Sequence, residues 1–174
     1  MPSYGWIHLR GADPQTVRAA LSEPAELEPQ GGWVRVVVPQ APALETFYAD
    51  LDRFARTAQA LSRKLRTVAL AALNVDDELL LLWAYRLGRL VFEYDSNPMV
   101  LGCPVCSYSE TTVPVQFSQA GELARLLGRP EAARELKSWL VRRRGLGFLT
   151  ESQRHRHLLE LLGLTHSSAP VAVT

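Results

Sequence analysis

Cysteine is scarce in this chain, with two among 174 residues, Cys103 and Cys106. Two thiols cannot build a multi-bridge disulfide framework, so the fold must rest on its own apolar core. A single domain of this length can supply one. Lysine is equally rare: Lys64 and Lys137 are the only two among the 19 basic residues, and the rest are arginine. Arginine- and alanine-rich usage points to a GC-rich bacterial genome. Long apolar runs are missing as well. The longest, Leu79 to Tyr85, falls far short of the roughly 18 residues that a membrane span needs. The N-terminal MPSYGWIHLRGADP has no apolar stretch behind a basic start, so no secretory leader is read. The expectation is a cytoplasmic protein with no membrane partner. Charge of one sign is not in excess, because the formal net charge is +1. P-loop, GxGxxG, HExxH and GxSxG motifs are all absent, and with them the local signatures of phosphate cradling, dinucleotide binding, zinc proteolysis and the nucleophile elbow.

What is present reads as a scaffold. Residues Gly5 to Leu9 suggest a short strand, followed by a helix that Asp13 caps and Pro14 opens. EPAELEPQGG is read as a loop on its proline and glycine content. WVRVVVP is a strong strand, ended by Pro39. From Ala41 to Arg66 apolar residues recur at three- and four-residue spacing, which predicts a long amphipathic helix. TVALAALNV is apolar at both parities and reads as a central, doubly buried strand. After the Asp76-Asp77-Glu78 turn, Leu79 to Tyr85 and Arg89 to Tyr94 read as a hairpin around Leu87-Gly88. Residues 97–114 show no periodicity and read as a long loop. Three helices follow: one capped by Ser118 and stopped at Gly128, one opened by Pro130, and one started by a Thr150/Gln153 capping box.

These elements predict an α+β fold. The expected form is a two-layer sandwich with a mixed, mainly antiparallel sheet of about five strands. One long helix covers the sheet, and a three-helix segment follows at the C-terminus. The expected organisation is a core over residues 1–116, a helical segment packed on it over 117–164, and a flexible tail over 165–174. Charge divides unevenly: residues 1–118 carry a net −3 and residues 119–174 a net +4.

Few constellations could carry chemistry. Cys103-Pro-Val-Cys106 resembles a zinc knuckle, in which two thiolates reach one metal. Structural zinc takes four ligands, and no second CxxC exists. His8, His155, His157 and His166 are not at ligand spacing with the pair. A second chain could complete the site, giving a zinc-bridged homodimer. Over four residues this resembles the zinc hook of coiled-coil DNA-repair ATPases, without the coiled coil. A thioredoxin-like role is disfavoured because SYSETTVP, which follows, does not start a helix. Arg142, Arg143, Arg144, Arg154 and Arg156 form a candidate anion-binding set. Tyr94, Asp95, Ser96 and Asn97, at a strand end leading into the long loop, form a candidate ligand or partner loop. Asp76, Asp77 and Glu78 read as a plain turn.

The leading functional expectation is a binding or protein-interaction module without catalysis, with a protein partner or a second copy of itself. The alternative is a metal- or thiol-dependent regulator bridged through Cys103 and Cys106, with zinc as its metal. In that reading the C-terminal arginines could also contact nucleic acid, which is otherwise the less favoured partner.

Overall fold

The structure is a computed structural model that describes residues 3–38, 47–97, 116–142, 145 and 147–164. In chain order its elements are β1 (Tyr4–Arg10), α1 (Pro14–Ala20), β2 (Glu26–Pro29), β3 (Trp33–Val38), α2 (Phe47–Lys64), β4 (Val68–Val75), β5 (Leu79–Arg86), β6 (Arg89–Asp95) and β7 (Gln116–Ser118). Helix α3 (Ala120–Leu126), a 3-10 turn (Pro130–Ala132), α4 (Ala133–Val141) and α5 (Glu151–Leu161) complete it. Seven strands make one sheet in the order β2-β3-β1-β4-β5-β6-β7, and each neighbouring pair is antiparallel. The α+β class read from the sequence holds.

Two strands escaped the sequence reading, and both lie at sheet edges. β2 is short, alternates glutamate with other residues and ends in Pro29, so it lacks an apolar pattern. Only its pairing with β3 makes it a strand. β7 has three residues. The first residue outside α3 is Gln119, in the left-handed region at φ 57°, rather than Ser118.

The layering also differs from the two-layer expectation. β4 and β5 are apolar at both parities, so both sheet faces need a cover. On one face Ala69, Ala71, Leu73, Leu81, Trp83 and Tyr85 pack with Phe54, Ala58 and Leu61 of α2. On the other, Leu70, Ala72, Leu80, Leu82 and Phe92 pack with Leu123 of α3, Leu136 and Leu140 of α4, and Leu158 and Leu159 of α5. Each fully buried leucine or phenylalanine there contributes about 1.5–3 kcal/mol relative to exposure. Helices therefore lie on both sides of the sheet.

The second face changes character across the sheet. One cross-strand row runs Glu28, Arg35, His8, Leu70, Ala84, Phe92 from β2 to β6. It is apolar under the C-terminal helices and charged toward the β2 edge.

The β5–β6 turn joins this sheet to α2. Leu87 and Gly88 both have positive φ, as a two-residue type I′ hairpin requires. Ser62 Oγ accepts from the Gly88 amide at 3.0 Å and donates to the Thr67 carbonyl at 2.9 Å. A Cβ at Gly88 would meet Arg63 Nε at 2.8 Å, so both backbone conformation and space call for glycine.

Candidate functional site

The candidate site lies on the C-terminal helices, and α5 is what positions it. Three groups satisfy the free amides at the start of α5. Thr150 Oγ1 accepts from the Gln153 amide at 3.3 Å, and Gln153 Oε1 accepts from the Thr150 amide at 3.4 Å, completing the capping box. Asp77 accepts from the other two: its carbonyl from the Glu151 amide at 3.2 Å, and its Oδ1 from the Ser152 amide at 3.0 Å. Asn74 Nδ2 also donates to that carboxylate, at 2.8 Å. A buried carboxylate at a helix N-terminus is favoured by the helix dipole. The acidic turn is thus also the dock for α5.

The side of α5 that faces the sheet is buried and polar at its first turns. Arg154 is 1% exposed. Its Nε donates to Glu151 Oε2 at 2.8 Å, and its Nη1 donates to the carbonyls of Trp139 at 2.7 Å and Leu140 at 3.1 Å. Tyr94 Oη donates to the Leu140 carbonyl as well, at 2.9 Å. The last carbonyls of α4, which have no partner inside their own helix, are therefore capped from α5 and β6. The Arg154 guanidinium also lies 4.3 Å from the Phe148 ring centre.

His155 continues this buried side toward β1. Its Nδ1 lies 2.8 Å from Tyr4 Oη, and its ring sits 5.4 Å from that of Trp6. Burial, reinforced by His8 and Arg35, pushes the His155 pKa down to about 3. Burial and Arg35 likewise push that of His8 down to about 3. Burial raises the Tyr4 phenol well above its ordinary value. His8 Nδ1 and His155 Nε2 are buried without a hydrogen-bond partner among the described residues. Arg35 stacks 4.2 Å from the Trp6 ring centre and pairs with Glu28, Nε to Oε2 at 2.6 Å. This cluster is closed: its imidazoles are neutral and inaccessible.

The opposite side of α5 is open. Between α4 and α5 lies a cleft of about 270 Å³, lined by Trp139, Gly147, Phe148, Gln153, Arg156, His157 and Glu160. Phe148 and Trp139 are its apolar surfaces, with ring centres 5.8 Å apart. His157 rests on Trp139 at 3.8 Å between ring centres. Its two nitrogens each lie 3.6 Å from a carboxylate, Nε2 from Glu135 and Nδ1 from Glu160. Arg142 stands at the border, its guanidinium 4.4 Å from the Trp139 ring centre. Gly147 lies beside this guanidinium. Its φ is +107°, and a Cβ there would come within 3.1 Å of Arg142 Nη1. Leu149 and Val141, large and apolar, are exposed on either side of the α4–α5 connection.

The residues singled out from the sequence fall in different places. Of the five arginines, Arg142 and Arg156 border the cleft, Arg154 is buried beside it, and Arg143 and Arg144 lie outside the described residues. Arg154 leaves the expected solvent-facing run because it caps α4. Tyr94 and Ser96 are buried. The Leu80 amide donates to Ser96 Oγ at 2.8 Å, extending the β5–β6 ladder by a side chain. The Asn97 amide donates to Asp95 Oδ1 at 2.9 Å in an Asx turn. Burial raises the Asp95 pKa. Cys103 and Cys106, with the zinc and thiol readings that depend on them, also lie outside the described residues. No group of three or more metal-ligating side chains occurs among the described residues.

Sequence reasoning missed the cleft and the Tyr4–His155 cluster. A signal existed for the cluster. Residues 151, 154, 155, 158, 159 and 162 recur at helical spacing, so Glu151, Arg154 and His155 share a stripe with Leu158, Leu159 and Leu162. Arg156 and His157 fall off that stripe. No family model, curated protein or solved structure matches this chain.

Proposed function

We propose that this protein is a non-catalytic binding module that seats a side chain of a protein partner in the α4–α5 cleft. The observation that carries this reading is the size and lining of the cleft. Its volume is about 270 Å³, and Trp139 lies in it beside the charged Arg156 and Glu160. It suits one anchoring residue of a larger partner, held by apolar contact and by charged groups together.

An unbiased test is selection of a random peptide library against the full chain. Enriched peptides should lose binding to Trp139→Ala and to Arg156→Ala, with circular dichroism confirming that each variant is folded. Peptides that bind both variants as well as the wild type would place the contact elsewhere and end the reading. Turnover by the purified protein on broad hydrolase or reductase panels would remove its non-catalytic half.

A further inference from the structure

The β5–β6 turn departs from two local rules, and both departures face solvent. Leu87 takes φ 53° at the first central position of the turn, a backbone conformation that asparagine, aspartate or glycine adopts with less strain. Its side chain is 51% exposed, so packing within the described fold does not account for it. Arg86 and Arg89 stand directly opposite each other across the hairpin, where like charges repel. A second exposed leucine, Leu90 at 49%, adjoins them. The turn is nevertheless firmly held. Gln59 Nε2 donates to the Gly88 carbonyl at 2.9 Å, and the Leu87 amide donates to the Thr67 carbonyl at 3.2 Å. The end of α2 adds to the charge. Arg63 lies over Gly88, and Lys64 and Arg66 follow it, exposed like Arg86 and Arg89. Residues 63–67 and 86–90 thus hold five cations and no carboxylate. None of the five pairs with an acid among the described residues. Glu93 and Asp52, the acids whose charges act on the neighbouring Tyr85, leave one free carboxylate between them, because Arg56 pairs with Asp52. Arginine stays charged across the accessible pH range, so the excess needs no particular protonation state.

We propose that this hairpin tip docks on an anionic bilayer surface, with Leu87 and Leu90 entering the boundary between headgroups and acyl chains and the five cations meeting lipid phosphates. No helix among the described residues is long and apolar enough to cross a membrane, and a peripheral contact needs none. Apolar side chains at the surface gain by burial in lipid, and each nearby cation gains from the negative surface potential. Nucleic acid fits less well. Base stacking needs a free aromatic face, and Tyr85, the ring next to this turn in the chain, is 6% exposed. Leucine gains nothing from a phosphate track. An acidic protein would have to supply a recess for two side chains of one turn, whereas a bilayer takes them up without one. The tip lies at the end of β5 opposite the Asp77 turn that docks α5, so the contact is independent of the α4–α5 cleft.

The test is flotation of the full-length protein with vesicles of phosphatidylcholine alone, and of phosphatidylcholine and phosphatidylserine in equal parts, at low and high salt. A duplex DNA oligonucleotide serves as the competing polyanion. The protein should float with the mixed vesicles at low salt, be released as salt rises, and ignore phosphatidylcholine. Arg86→Gln/Arg89→Gln should weaken the partition about 25-fold, or about fivefold for each charge lost. Leu87→Asn separates recognition from folding. It should raise the unfolding midpoint, because asparagine suits the turn, and still weaken vesicle binding. Failure of the wild type to float with the mixed vesicles overturns the proposal, as does equal flotation with both vesicle types. Undiminished binding by Leu87→Asn/Leu90→Ser overturns the insertion of the leucines. Complete displacement from the vesicles by the oligonucleotide at equal phosphate concentration overturns the lipid assignment in favour of nucleic acid.

Discussion

Helix α5 carries Arg-His twice in succession, and the two pairs have opposite fates. Arg154 and His155 are 1% exposed, while Arg156 and His157 reach solvent. Arg154 is neutralised by Glu151 and caps the carbonyls of α4. Arg156 lines the cleft with no carboxylate partner among the described residues. His155 is neutral against Tyr4 and Trp6, while His157 faces two carboxylates. Residue type did not decide these roles. A shift of two positions along a helix rotates a side chain to the far side, and what lies there decides. The sheet side holds the helix in place; the outer side faces the cleft.

The largest expected difference between the two sides is in stability. Arg154→Met leaves Glu151 buried without its cation and uncaps α4, which costs about 3–5 kcal/mol. Chemical denaturation measures it. A loss below about 1 kcal/mol would mean that the buried pair is not what holds α5 to α4.

The next effect is on pH dependence and belongs to the sheet side. Folded His8 and His155 stay neutral down to about pH 3, whereas in the unfolded chain each takes up a proton near pH 6.5. Their contribution is therefore complete above about pH 6.5 and is lost as pH falls toward 3, at roughly 1.4 kcal/mol per pH unit for each imidazole. Unfolding midpoints at pH 7, 5 and 4 should fall steeply for the wild type and less steeply for His155→Phe. Identical slopes for the two proteins would contradict a buried neutral His155.

The smallest effect is on the outer side. Arg156→Gln should change stability by no more than about 0.5 kcal/mol, because this guanidinium is exposed and pairs with no carboxylate among the described residues. A loss as large as that of Arg154→Met would erase the contrast between the two sides.

Much of this fold was legible in the sequence. The apolar parity of TVALAALNV located β4, the turn residues fixed the β5–β6 hairpin, and Thr150 with Gln153 marked the start of α5. The edge strand β2 was not legible, because partners on one side alone make it a strand. The second helical layer could have been inferred from the doubly apolar strands, which cannot leave a face to water. The site was harder. Arg154 and His155 look like surface residues by polarity, and only their helical spacing to Leu158 and Leu159 places them inside. The cleft depends on Trp139 and Phe148 meeting across the α4–α5 connection, a tertiary contact with no local spacing rule.

Amide chemical-shift mapping with a peptide enriched from the random library tests the division of labour most directly. The account predicts shifts at Trp139, Arg142, Gly147, Arg156 and His157, with Tyr4, His8 and Arg35 unmoved. Shifts centred on Tyr4, Trp6 and Arg35, with the cleft silent, would contradict it.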